Sequence, residues 1–192
     1  MPVLCAQAVE FIQPRSGGVY VDATLGGGGH AEAILEASAP DGVLIGIDRD
    51  PEALTAARQH LQRFGKRLRT VHATFDLMHE VARQEGFAAV QGVLFDLGVS
   101  SHQLNVAERG FSFQADGPLD MRMDPHSAEP DASVLVNTLT ERALERILAE
   151  WGEERFAGRI ARAILRERER APITTTRQLE QVVWNAVPPG YR

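Results

Sequence analysis

Val19-Tyr-Val-Asp-Ala-Thr-Leu-Gly-Gly-Gly-Gly-His-Ala-Glu-Ala-Ile-Leu35 is the stretch that decides the fold. A short β-type run ends in Asp22, four consecutive glycines occupy positions 26–29, and Ala31, Ile34 and Leu35 then fall on one helical face. Strand, tight turn and helix in that order open a βαβ unit. Gly26, Gly28 and Ala31 fit the pattern G-x-G-x-x-[G/A], in which missing side chains let backbone amides approach a ligand at a helix N-terminus. Alone, the pattern is equally a tight strand-to-helix turn with no ligand, so its reading depends on what surrounds it.

The same rhythm of short apolar runs and longer helical segments continues to about residue 96, which predicts an α/β fold with a parallel sheet. Strands are expected at 19–21, 43–47, 68–72 and 92–95. A helix is expected over 51–64, with Asp50 as N-cap, Pro51 at the first helical position, and Leu54, Ala57, Leu61 and Phe64 at helical spacing. Strands three and four read as near-continuous apolar runs, so both of their faces are expected to be buried. Residues 97–131 are rich in Gly, Ser, Asp and Pro, the composition of a stretch that carries function or moves. Residues 133–192 read as purely helical, with helices near 140–150 and 153–170 and a third starting around Thr176, taken as its N-cap.

The chain has 192 residues, 44% of them hydrophobic, which suits one folded domain with or without an inserted subdomain and excludes a mainly disordered chain. No apolar run approaches the roughly 20 residues that cross a bilayer, and the N-terminus lacks the basic region of a signal peptide. A soluble cytoplasmic protein with no membrane partner is expected. Cys5 is the sole cysteine, so no internal disulfide and no cysteine-based zinc site is expected. His60, His72, His79, His102 and His126 show no metal-ligand spacing, and no metal is expected. The net charge of −6 is unevenly spread: residues 1–150 carry 12 basic and 21 acidic side chains, residues 151–192 carry 8 and 5. Attraction to a polynucleotide must therefore be local, and the basic tail is where to look for it.

Asp48 ends the second strand 20 residues beyond Gly28, the interval at which an acid reaches both hydroxyls of an adenosine ribose. It is alternatively a helix cap, a task also open to Asp50. Asp96 ends the fourth strand, and acids at the C-terminal ends of neighbouring parallel strands converge on the crevice where open α/β sheets bind ligands. Asp22, Asp48 and Asp96 are thus expected to rim one site. A P-loop needs Gly-Lys-Ser/Thr, but the single lysine, Lys66, is followed by Arg67. Dehydrogenases of the Tyr-Lys type need a tyrosine shortly before a lysine, but Tyr20 and Tyr191 are the only tyrosines. Ser100-Ser-His102 lacks the closing glycine of a nucleophile elbow. Three carboxylates repel a pyrophosphate, whereas S-adenosylmethionine brings a sulfonium, an ammonium and a ribose that suit acidic surroundings. An oxidoreductase using NAD is the weaker alternative.

Four segments together carry a family resemblance: Asp22-Ala-Thr-Leu-Gly-Gly-Gly-Gly-His30; Gly46-Ile-Asp-Arg-Asp-Pro51; Asp96-Leu-Gly-Val-Ser-Ser101 with Gln103-Leu104; and Arg109-Gly-Phe-Ser-Phe113 with Asp116-Gly-Pro-Leu-Asp-Met-Arg-Met-Asp124. They resemble the bacterial 16S ribosomal RNA cytosine-N4 methyltransferases, the RsmH (MraW) family. The resemblance covers nearly the whole chain, and the last pair of motifs is highly specific. It implies a Rossmann-like class I methyltransferase with a parallel sheet, helices on both faces and an inserted all-helical subdomain. Residues 1–132 would form the cofactor-binding core and 133–192 the helical insertion. The implied activity is S-adenosylmethionine-dependent N4-methylation of a cytidine in small-subunit ribosomal RNA, and the implied partner is that RNA or the small subunit. Family members continue well beyond this point, so a C-terminal truncation is expected, with the fourth strand left as an exposed apolar edge.

Carried over motif by motif, the cofactor contacts are Gly28, Gly29, His30, Asp48, Phe75, Asp96 and Gln103. Phe75 rests on the looser match Ala73-Thr-Phe-Asp76, as a ring over the adenine or as a plain core phenylalanine. Asp96 is the first candidate for a catalytic acceptor on the cytosine amine, beside its cofactor role. Ser100 and Ser101 position substrate or cap the next segment. Phe111 and Phe113, next to Arg109, either stack on an unstacked base or anchor their loop. Arg155, Arg159, Arg162 and Arg166 are spaced 4, 3 and 4 apart on one expected helix face opposite Ile160 and Ile164. They form either a solvated face paired to Glu153, Glu154, Glu167 and Glu169 or an RNA contact. The rival from another class is a binding module that holds S-adenosylmethionine or RNA without turnover.

Overall fold

Four short strands, β1 (Val19–Asp22), β2 (Val43–Asp48), β3 (Leu68–His72) and β4 (Gly92–Leu94), pair in parallel in the order β3-β2-β1-β4. They belong to a computed structural model that describes residues 4–191 and falls into two compact units, the first ending at Gly98 and the second beginning at Val99. The α/β fold with a parallel sheet is as the sequence predicts.

In the first unit, α1 (Cys5–Ile12) precedes the sheet, and α2 (Gly29–Ala37), α3 (Pro51–His60) and α4 (Met78–Gln84) connect the strands. The period-2 alternation of a strand sorts the core onto two faces. Tyr20 and Leu44 pack with Ile34 and Leu35 of α2 and Leu54 and Ala57 of α3. Val21, Ile45 and Ile47 pack on the other face with Val81 and Ala82 of α4. Helix α3 starts as expected: the Asp50 carboxylate accepts from the Glu52 amide at 3.0 Å and Pro51 takes the first position. It ends before residue 64, because the chain tightens into a 3₁₀ turn (Gln62–Arg67) around Gly65 at φ +51°.

The expectation that strands three and four are buried on both faces is wrong. β1 and β2 are central and almost wholly buried, while β3 is half-buried along most of its length and Val93 of β4 is 38% exposed. The strand order makes β3 and β4 the outer strands, so their apolar residues are only partly covered, although Leu68 and Val71 of β3 still pack into the cores on the two faces.

The second unit holds α5 (Ser101–Asn105), α6 (Ala132–Thr138), α7 (Glu141–Glu150), α8 (Ala157–Arg168) and α9 (Thr176–Ala186). Leu119, Val136, Leu144, Ile160, Ile164, Ile173 and Val182 form its core. The cap of α9 is Thr175 and not Thr176: Thr175 and Gln178 exchange bonds in a capping box. Thr176 is buried instead, its hydroxyl accepting from the Gly117 amide at 3.2 Å. The Gly- and Asp-rich stretch is pinned rather than loose. Leu119 donates to the Thr174 carbonyl at 2.9 Å, and Asp120 holds the Arg122 guanidinium through two bonds of 2.8 and 2.7 Å. Residues 99–131, grouped with the core in the sequence reading, thus pack among the helices of the second unit.

β4 ends the sheet with Val93, Phe95 and Leu97 exposed, and Val93 rims an apolar depression with Met78, Ala82 and Phe87. An uncovered apolar edge promotes association. Val93→Lys should therefore lower concentration-dependent light scattering while leaving the melting temperature nearly unchanged; equal scattering in both proteins would contradict this.

Candidate functional site

Helices α2 and α3 cover one face of the first unit's sheet and α4 the other, so the connections switch face between β1 and β4. A parallel sheet opens a crevice at the C-terminal ends of its strands at such a switch. Asp22 ends β1, Asp48 ends β2 and Asp96 lies two residues beyond β4. Asp22 and Asp48 share the side-chain parity of Tyr20 and Leu44, so they belong to the face covered by α2 and the glycine turn.

That turn needs its glycines for two separate reasons. Gly26 and Gly28 have φ of +52° and +85°, which L side chains rarely adopt. A Cβ on Gly28 would also lie 2.7 Å from Leu61, so the start of α2 sits directly on the end of α3. Asp48 clamps the turn: one carboxylate oxygen accepts from the Gly26 amide at 2.7 Å and the other from the Asp50 amide at 2.9 Å. Asp50 performs the helix capping, which leaves Asp48 to the turn. Thr24 ties β4 to the same place, its hydroxyl accepting from the Asp96 amide at 2.7 Å. His30 is buried at the head of α2 with Nδ1 3.7 Å from an Asp96 carboxylate oxygen.

Gly28, Gly29, His30, Asp48 and Asp96 are thus gathered around one turn. Phe75 follows β3 and is 46% exposed, so it is not a core residue. Its ring meets Phe95, 44% exposed, edge-to-face at 5.9 Å between centroids. Phe95 was missed in the sequence because it reads as the last residue of an apolar strand. His60 was missed as well: its ring lies 3.1 Å from the Gly27 carbonyl and 3.2 Å from a Glu32 oxygen.

The remaining candidates belong to the second unit. Ser100 caps α5, its hydroxyl accepting from the Gln103 amide at 3.2 Å while the buried Gln103 side chain accepts from the Ser100 amide at 2.9 Å. Ser101 is exposed at the first position of α5. Arg109 is only 5% exposed and donates to the Met123 and Arg122 carbonyls at 2.6 and 3.3 Å, which gives it a place inside its loop. Phe113 is exposed and Phe111 half-buried. Arg159, Arg162 and Arg166 are exposed along α8, opposite buried Ile160 and Ile164, as the spacing predicts. Arg155 precedes the helix, and its guanidinium lies over the Phe156 and Tyr191 rings at 4.9 and 4.5 Å. Arg162 is 3.6 Å from Glu141, an acid outside the expected set.

The donor set at the strand tips is carboxylates and backbone amides, which fits a ligand that combines cationic groups with a ribose. Asp22 is the extreme member. It is 1% exposed, and burial is the main cause that lifts its carboxyl from the ordinary 3.8 to about 7; the negative charges of Asp48 and Asp96 add to the rise, against the bond from the Thr24 amide.

The family model described as the MraW methylase family matches residues 1–192. A ribosomal RNA small subunit methyltransferase H from Geotalea uraniireducens is 55% identical over 188 residues, 98% of this chain and 60% of the relative. The protein of that name from Geobacter sulfurreducens is 53% identical over 189 residues, again 98% and 60% of the two chains. The chain spans about 60% of the length of the curated relatives it matches. A crystal structure provisionally named as an rRNA-methylase, from Clostridium thermocellum, aligns with a TM-score of 0.43 at 20% identity over 52% of this chain and 53% of that one.

Because the folded state raises the Asp22 carboxyl, its contribution to stability is complete below about pH 3.8 and is lost as pH rises through 7. Full ionisation costs roughly 4 kcal/mol, at about 1.4 per unit. Between about pH 4 and 7 thermal stability should fall with rising pH and then level off, and Asp22→Asn should flatten that fall. Equal slopes for the two proteins would refute the assignment.

Proposed function

The chain belongs to the MraW methylase family, and from that premise we propose that its first unit binds S-adenosylmethionine at the strand tips in the service of N4-methylation of a cytidine in small-subunit ribosomal RNA. The observation that carries this reading is the gathering of Asp48 and Asp96 by one glycine turn, Asp48 through the Gly26 amide and Asp96 through the Thr24 hydroxyl. When bound, S-adenosylmethionine supplies a methyl group activated on a positively charged sulfur.

The chain's own residues divide the remaining work. Gly28 and Gly29 let backbone approach the ligand at the head of α2. Asp48 spends one lone pair of each oxygen on the turn and keeps the others for ribose hydroxyls. Phe75 and Phe95 offer an apolar edge for the adenine. The Asp96 side chain is 58% exposed, open both to the cofactor and to an N–H of the cytosine amine. That amine is a weak nucleophile because its lone pair is delocalised into the ring. Accepting its N–H localises the pair, and alignment with the methyl group supplies much of the rest. Gln103, in the second unit, is assigned to the cofactor by the family motif, and its side chain accepts the capping bond from the Ser100 amide. Ser101 is assigned to substrate positioning. The exposed Phe113 ring suits stacking on a displaced base, with Phe111 and Arg109 fixing its loop. Arg155, Arg159, Arg162 and Arg166 present positive charge to phosphates.

Calorimetric titration should show binding of S-adenosylmethionine and none of NAD, and Asp48→Ala should weaken it by about tenfold or more. Labelled methyl transfer to undermethylated small subunits tests the enzyme reading; tight cofactor binding with no incorporation would assign the chain the role of a binding module. Replacing Arg159 and Arg166 together by alanine should reduce the log–log salt slope of RNA binding by about 1.4.

A further inference from the structure

Of the three strand-tip acids, Asp22 is the most enclosed. Its Oδ1 accepts from the Thr24 amide at 3.2 Å, whereas its Oδ2 is buried with no hydrogen-bond partner among the described residues. A carboxylate held this way lacks the solvation that its charge requires, and either a proton or a nearby cation restores the balance. Among the described residues, the charges acting on it are those of Asp48 at the end of β2 and Asp96 beyond β4, both negative. His30 of α2 is directed to Asp96 at 3.7 Å. His79 and Arg83 of α4 line the opposite face of the sheet, beside Val21. The molecule thus concentrates three acids at one crevice, and one of them has a buried oxygen that no hydrogen bond among the described residues satisfies.

We propose that Asp22 is the proton-linked member of this pocket: it holds a proton on Oδ2 while the pocket carries no cation, and yields it to solvent when a cationic ligand enters beside Asp48 and Asp96. This deepens the S-adenosylmethionine reading and rests on it. No bond of the ligand is made or broken. One O–H bond of the Asp22 carboxyl is exchanged for attraction between the resulting carboxylate and the sulfonium or ammonium, and the proton passes to buffer. The raised carboxyl of Asp22 places this exchange near neutral pH. Uptake of the methyl donor is then weaker in acid, by up to about tenfold per pH unit below 7 until the bound form also protonates.

The test is calorimetric titration of the intact chain with S-adenosylmethionine in buffers of different ionisation enthalpy, which counts the protons released. About half a proton should appear at pH 7 and close to one at pH 6. Asp22→Asn should release markedly fewer, with an affinity that varies less with pH. The wild-type Asp22 carboxyl carbon, followed by NMR, should move to its ionised shift on ligand addition, a readout that does not depend on the variant folding. Binding with no proton release, an unchanged release in the variant, or a carboxyl shift already ionised without ligand would each overturn the proposal. A flat isotherm in every buffer would overturn the S-adenosylmethionine reading itself and the linkage with it.

Discussion

The bond from the Gly26 amide to the Asp48 carboxylate, 2.7 Å long, is the constraint on which the site depends. It fastens the turn after β1 to the tip of β2. The turn can reach that position because Gly26 and Gly28 accept backbone angles closed to other residues and because Gly28 lets α2 settle on Leu61. Thr24, inside the same turn, then takes the Asp96 amide, so three strand tips are organised by six residues of chain. Were the turn to open, Asp48 would lose one of its amides and the acids their common frame.

Gathering carboxylates in this way works against stability. Asp22 is the clearest case, an enclosed acid with an unpartnered oxygen and two acidic neighbours. A fold selected only for stability would place an amide or an apolar side chain there. The acid at this position is therefore the group whose charge the proposed cationic ligand would balance.

The second unit solves a different problem, the ordering of a polar segment that carries little apolar surface. Asp120 with Arg122, Arg109 with two carbonyls, and Thr176 with Gly117 supplement the apolar anchor that Leu119 gives residues 99–131. Arg109, a substrate candidate beside Phe111 and Phe113 in the sequence, thereby serves as an internal strut, while Phe113 and the arginines of α8 remain at the surface. Arg155 shows the limit of spacing arguments: it matches the helical interval but lies before α8, over two aromatic rings.

By itself the sequence determined the α/β class, the four strands, the glycine turn and the acids at the strand tips, because each is written in local terms: a period of two, a glycine where φ is positive, an acid at a strand end. The family was equally legible, since its motifs are contiguous. Only the tertiary structure decided which strands lie at the sheet edges, that Phe75 pairs with Phe95, that His60 meets Gly27, and that Asp22 is buried with one carboxylate oxygen lacking a partner among the described residues. These depend on strand order and helix packing, which bring together residues far apart in the chain, and no local pattern encodes the distance between them.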